Sequence, residues 1–307
     1  MATSFGCMAA LAMLVLLVTA NLCFRNKGIP YRTGITFSIF ALVLSFVCSR
    51  LLFTLSNLPL YVNTLGNPAL MLRFWDGGAS LLGALLGVLL SGALTARLFR
   101  LSCGKVMDCV ALSAPLSIAI ERLGEGYFDE IMGKGKAIET EFLSFLGSAT
   151  DGNHPVFLYE AAAMVIILML LIGSRRKRNP DGDTMLLFLL VYGCVQVVLE
   201  SLRNDSHMLL IHFVRVNQIG ALVLAVAAIV CWTVRVAREG SRNHLIIGCW
   251  IAVIAAIGVG IGMEFAIDRL GMPLLCYCLM MLAMLVIAGS GLMLRRAANE
   301  AELQEEV

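Results

Sequence analysis

I-A-I-E-R-L-G-E-G-Y-F-D-E-I-M-G-K-G (Ile118–Gly135), followed after a polar span by H-P-V-F-L-Y-E (His154–Glu160), is where charge, glycine and histidine gather in this chain. Arg122, Glu125, Asp129, Glu130, His154 and Glu160 all fall within it. Its surroundings decide how it is read. Of 307 residues, 59% are hydrophobic and 14% charged, and the mean hydropathy is +0.87. A soluble domain carries about a quarter charged residues, so lipid is the expected solvent for most of the chain. The polar stretch then reads as a segment held at the edge of a membrane by apolar scaffold.

A spanning helix needs about 20 mostly apolar residues. Nine runs qualify, near 7–24, 34–56, 79–99, 106–121, 155–173, 184–202, 217–236, 245–266 and 273–294. The fourth is short and carries Asp108. Met8 to Cys23 is apolar with no Lys or Arg before it and basic residues after it; a cleaved signal has the reverse order, so this is the first span. The ten cysteines form no C-x-x-C pair. Nine lie in or beside apolar runs and Cys103 in a basic loop, so they read as small apolar fillers.

If the spans alternate, the basic loops share one side. They hold Arg25, Lys27 and Arg32; Arg97, Arg100 and Lys105; Arg175, Arg176, Lys177 and Arg178; Arg235, Arg238 and Arg242; Arg295 and Arg296. That side is expected to be cytoplasmic, with the N-terminus and a polar head at 122–154 outside. The fold class expected is all-α and polytopic. A core over 1–242 is followed by an extra hairpin and acidic tail over 243–307. A net charge of +2 says little about partners, and nucleic acid is not expected among them.

Tyr192, Gln196, Glu200 and Arg203 recur at helical spacing and so share one face of the sixth span. That stripe reads either as hydrogen-bonded glue between helices or as the wall of a cavity. Glu160, about a turn inside the fifth span, needs a cation opposite, because a lone charge in the membrane costs several kcal/mol. Arg122 and Arg203 are the candidates. Pro155 suits a first helical turn, and His154 beside it reads as structural in the first instance. Gly83 and Gly87 permit close helix approach. Gly124, Gly126, Gly133 and Gly135 allow two readings: turned backbone N–H groups that join Arg122 in binding an oxyanion, or a flexible loop. Four histidines without H-x-x-x-H spacing or a Cys–His grouping give no metal site, and no cofactor is expected.

At these residues the chain resembles the bacterial prolipoprotein diacylglyceryl transferases. Their G-R-x-G-N-F-x-N-G-E-x-x-G signature is similar to Glu121–Gly133, with Arg122, Gly124, Glu130 and Gly133 matching. Their H-P-x-x-L-Y-E run matches His154–Glu160, and their Y-x-x-x-R-x-x-x-E-x-x-R pattern matches at Tyr192, Glu200 and Arg203. Asp108 and Gln218 resemble two further family positions. The resemblance covers roughly residues 25–236.

It implies a seven-span membrane enzyme that moves a diacylglyceryl group from phosphatidylglycerol to the lipobox cysteine of a prolipoprotein. By that resemblance Arg122, Glu130, Tyr192, Gln196 and Glu200 are catalytic candidates, with Arg122 on the lipid phosphate. Glu125, Gly133, His154, Tyr159, Glu160 and Arg203 are substrate-binding candidates. Three positions depart from the pattern: Leu82 stands where the family has histidine, Gln196 where it has arginine, and Glu125 where it has asparagine. A relative that binds lipid or lipopeptide without turnover is the second reading. A small-solute transporter is the third, and the lack of an evident inverted repeat weighs against it.

Overall fold

The computed structural model describes residues 2–74, 77–128, 133–138, 147, 150–175, 179–204, 210–211, 214–238, 243–267 and 269–305. Its helices are α1 (Ala2–Asn26), α2 (Tyr31–Ser56), α3 (Leu81–Leu98), α4 (Cys103–Phe128), α5 (Val156–Ser174), α6 (Asp183–Leu202), α7 (Val216–Arg238), α8 (Asn243–Ile267) and α9 (Pro273–Glu305). Among the described residues, nine helices are long and apolar enough to cross a membrane. The chain is therefore an all-α polytopic membrane protein. A two-residue antiparallel ribbon, β1 (Leu210–Ile211) with β2 (Val214–Arg215), joins α6 to α7.

Packing follows chain order, α2 on α3, α6 on α7 and α8 on α9, with α1 closing onto α4. Between α2 and α3 the backbones nearly touch. A Cβ at Gly83 would lie 2.8 Å from the Ser49 Cα, and one at Gly87 2.5 Å from the Ser45 Cα, so only glycine fits there. One apolar core runs through all nine helices. Ile166, Met169, Leu170 and Ile172 leave α5 outward and exposed, as a lipid-facing surface requires.

Buried polar side chains fix the ends of the bundle. Arg50 donates to the carbonyls of Leu70 (3.3 Å), Met71 (3.1 Å), Arg73 (2.7 Å) and Gly78 (3.1 Å), and to that of Gly77, pinning the α2–α3 connection. At the opposite end Asp108 on α4 accepts from the N–H groups of Gly182 and Met185, both at 3.1 Å. That caps the start of α6, where free N–H groups favour an anion.

Two expectations are corrected. The fourth helix does not stop near residue 121 but continues to Phe128. Glu121, Arg122 and Glu125 are therefore helical residues rather than part of a head, and their charge is accommodated because partners on α5 and α6 meet it. Pro155 occupies the boundary position just before α5, where its carbonyl accepts from the N–H groups of Leu158 (3.0 Å) and Tyr159 (3.3 Å).

The hairpin α8–α9 packs on α6 and α7. Arg295 on α9 grips the fully buried Asp183 of α6 through Nε (3.0 and 2.9 Å) and Nη2 (2.6 Å), and Trp232 of α7 donates to the same carboxylate at 3.3 Å. Trp250 of α8 donates to Thr233 of α7 at 3.1 Å.

Candidate active site

Three helix ends converge at one end of the bundle. The last turns of α4 bring Arg122 and Glu125, the start of α5 brings Glu160, and the end of α6 brings Gln196, Glu200 and Arg203. All six side chains are buried; Arg203, Glu160 and Glu200 are each 1% exposed. Helical spacing explains the local placement: Arg122 and Glu125 are three residues apart, and Gln196 and Glu200 four, so each pair shares a face.

Glu125 lies between the two arginines. One oxygen pairs with Arg122 Nη1, and the other accepts from Arg203 Nη2 at 2.5 Å. Glu160 is the second bridge: its Oε2 lies 2.8 Å from Arg203 Nη1 and 3.3 Å from Arg122 Nε. Gln196 Nε2 donates to Glu160 at 2.5 Å and to Glu200 at 3.3 Å. Glu121 Oε2 stands 3.6 Å from Arg122 Nε. Despite these carboxylates, Arg122 Nε has no hydrogen-bond partner among the described residues. Ion pairing here lacks the directed geometry of a hydrogen bond, and one buried donor remains to be satisfied.

Three carboxylates (Glu121, Glu125 and Glu160) thus pair with two guanidiniums among the described residues of this cluster, and Glu200 beside them accepts from the Gln196 amide. Out of water each charge carries a desolvation cost of several kcal/mol, which only close pairing offsets. The arrangement is braced from the start of α7 as well as paired. The guanidinium of Arg215 donates to the carbonyl of Arg203, and Asn217, in the first turn of α7, donates to Glu200 at 3.1 Å.

The polar segment beyond α4 is tied down at its base. Gly135 donates to the His154 carbonyl at 2.7 Å, and Ile138 to that of Gly152 at 2.9 Å. On the other side Lys136 donates to the Leu202 carbonyl at 2.8 Å, and Asn204 to that of Lys134 at 3.1 Å. Residues 134–138 so run between the approach to α5 and the end of α6.

Gly124 and Gly126 are helical residues of α4, so neither sequence reading describes those two. A Cβ at Gly124 would meet Met8 of α1, and one at Gly126 would strike the Phe157 ring. Gly133 adopts φ +79°, and Gly135 has His154, Val156 and Leu202 within 2.8 Å of a notional Cβ. They serve close packing and a turn, and the Gly135 N–H is spent on His154.

Of the other sequence candidates, Tyr192 is buried one turn deeper than Gln196, its ring stacked on Phe188 with centroids 5.4 Å apart. His154 and Tyr159 pair with each other, Nδ1 to Oη at 3.3 Å, outside the ionic cluster's described contacts. Burial lowers the protonation range of the His154 imidazole below its ordinary value of 6.5. Glu130 lies outside the described residues. Glu121, Asn217 and Glu264 were not singled out in the sequence. An isolated acid in an apolar helix was the available signal for Glu264, whereas Asn217 and Glu121 gave none beyond adjacency to Gln218 and Arg122.

Fold and site together define a polytopic helical membrane protein with a buried ionic cluster of paired arginines and carboxylates at one end of its bundle. Residues 2–234 match the family model described as prolipoprotein diacylglyceryl transferase, and the chain belongs to that family of enzymes. It is 29% identical over 227 residues to phosphatidylglycerol–prolipoprotein diacylglyceryl transferase of Geobacillus kaustophilus, covering 71% of this chain and 82% of the relative. Identity to the enzyme of the same name from Clostridium novyi is 32% over 200 residues, covering 62% and 75%. For Staphylococcus epidermidis it is 28% over 236 residues, covering 74% and 82%. Helices α8 and α9 lie beyond the range matched by the family model.

Proposed function

We propose that this chain transfers a diacylglyceryl group from phosphatidylglycerol to the lipobox cysteine of a prolipoprotein, in a chamber formed at the ionic cluster described above. The observation that carries the reading is the pair of guanidiniums, Arg122 and Arg203, held on either side of one carboxylate. Two fixed cations separated by an exchangeable anion suit a phosphate diester, and Arg122 Nε still has a donor to give. In this reading the lipid phosphate takes the place of Glu125 between the arginines. The cysteine sulfur attacks the glyceryl carbon, the carbon–oxygen bond to phosphate breaks, and glycerol phosphate leaves. The thiol proton passes to the gathered carboxylates. Fixed cations facing the departing phosphate are worth a few kcal/mol in such a step.

Gln196 contributes a donor without charge, and Arg203 supplies the second cation from the end of the same helix. Glu160 and Glu200 orient the donors. Glu130, His154, Tyr159 and Gly133 belong to the head that admits the lipopeptide, and Tyr192 lines the chamber floor. Arg25, Arg97 and Arg235 lie in the last turns of α1, α3 and α7, Arg175 follows α5, and Arg295 pairs with Asp183 at the start of α6, all away from the chamber. By the positive-inside rule this favours a chamber facing out of the cytoplasm, an N-terminus outside and a C-terminus inside the cell.

A second reading has one observation in its favour. Both arginines are already matched by carboxylates, as in a relative that binds lipid or lipopeptide without turnover.

The test is expression in cells depleted of their own transferase, with a reporter lipoprotein followed by mass. A diacylglyceryl mass increase is expected, and Arg122→Ala should abolish it. No increase from folded, inserted protein would leave the binding reading in possession. An increase that survives Arg122→Ala would remove that arginine from its role.

A further inference from the structure

Glu264 is the only acidic residue of α8, a helix otherwise apolar apart from its first residues. It lies outside the family-matched range, and its carboxylate meets the first turn of α7. Its Oε2 accepts from Gln218 Nε2 at 3.1 Å. Gln218 is itself buried, 4% exposed. The same amide nitrogen also donates to the Val197 carbonyl at 3.2 Å, and its oxygen accepts from the Arg215 N–H at 2.9 Å. A glutamine three residues into a helix that takes the N–H of the capping residue fixes the first turn.

That turn has two outputs. Asn217 donates to Glu200, and the Arg215 guanidinium donates to the Arg203 carbonyl. Glu264 itself is half-buried in the last turn of α8. Two remote contacts, Arg295 with Asp183 and Trp250 with Thr233, hold the hairpin where Glu264 meets Gln218.

We infer that Glu264 is a positioning residue for the chamber: through Gln218 it holds the first turn of α7, and that turn holds Glu200 and Arg203 in register. The extra hairpin thereby becomes part of the site rather than an appendage. The activity consequence rests on the function proposed above, so the test has a second readout that does not.

In full-length protein, Glu264→Leu is expected to lower kcat about tenfold, and Glu264→Gln, whose amide oxygen still accepts from Gln218, to stay within about twofold. Hydrogen exchange of the backbone amides at 215–218 should rise about tenfold in the leucine variant while those of α8 stay unchanged. A merely structural acid would change the folded fraction without changing kcat per folded molecule or local exchange. Should Glu264→Leu not fold, Gln218→Met carries the same measurements from the other side of the contact. If unaltered protein shows no transfer, the proposed function falls and exchange alone decides: acceleration confined to 215–218 supports the positioning role. Unchanged exchange, or failure of Glu264→Gln to rescue, overturns it.

Discussion

Glu125 sets the balance of the chamber, because it stands where the resembling family has an amide and carries a charge between two arginines. Opposite charges about 4 Å apart are worth about 4 kcal/mol at an effective dielectric near 20, so an incoming phosphate must displace an internal rival. Glu125→Asn is therefore expected to lower KM for phosphatidylglycerol about tenfold, ~1.4 kcal/mol, with a smaller change in kcat. Initial rates in detergent–lipid mixtures measure this, and a raised KM would show that Glu125 helps to hold the lipid. Gln196 sits against Glu160 and Glu200, and Glu200 accepts only from amides in the described contacts, so a guanidinium there has a carboxylate to pair with. Leu82 packs where a Cβ on Gly220 would collide with it, between α3 and α7. Gln196→Arg combined with Leu82→His is expected to raise the transfer rate; unchanged activity in intact protein would mean that the chamber has been rebuilt around its neutral residues.

Among elements, the segment 134–138 at the base of the polar stretch joins the approach to α5 with the end of α6. Gly135→Ala would place a methyl carbon 2.7 Å from Val156 Cγ2 and 2.8 Å from the Leu202 carbonyl. The second contact is backbone and cannot turn aside. A loss of about 1–3 kcal/mol is expected, the usual range for overpacking, together with faster proteolysis between 133 and 154. His154, bonded to the same segment, offers a pH test. Its imidazole is held below its usual range of 6.5 by burial, so the unfolded chain binds a proton first as pH falls. Its contribution to stability is complete above that value and declines below it. Thermal unfolding at pH 5 against pH 7.5 should show a smaller acid penalty in His154→Gln than in the unaltered protein. The spans themselves were legible, because each is a run of about 20 apolar residues and needs no knowledge of its neighbours. The true end of α4 was not. Glu121, Arg122 and Glu125 look like a loop until Glu160 and Arg203 are known to lie beside them, and Arg203 is 78 residues from Glu125 in the chain. The arginine–glutamate pairing could be suggested from charge need, whereas the glycines' role depended on which side chains pressed against them.

At the scale of the whole molecule, the hairpin is bound at both ends of the bundle, by Glu264 with Gln218 and by Arg295 with Asp183. Removing one partner of a buried pair typically costs ~3–5 kcal/mol, because the other is left charged without compensation. Arg295→Met is expected to lose about that much in detergent unfolding, and adding Asp183→Asn should recover most of it. Equal losses in single and double variants would mean that the contact contributes packing rather than charge. The nine-helix count was visible in hydropathy, but this dependence of core on hairpin was not, since one arginine near a helix end also reads as a topology signal. The same pair has a consequence in time. Asp183 and Arg295 are 112 residues apart in the chain, and ribosomes add about 5–20 residues per second. The acid therefore waits roughly ten seconds in a half-made protein before its cation is synthesised. During that interval the nascent chain carries a visible mark of incompleteness, and the arrival of the last helix both finishes the bundle and erases the mark.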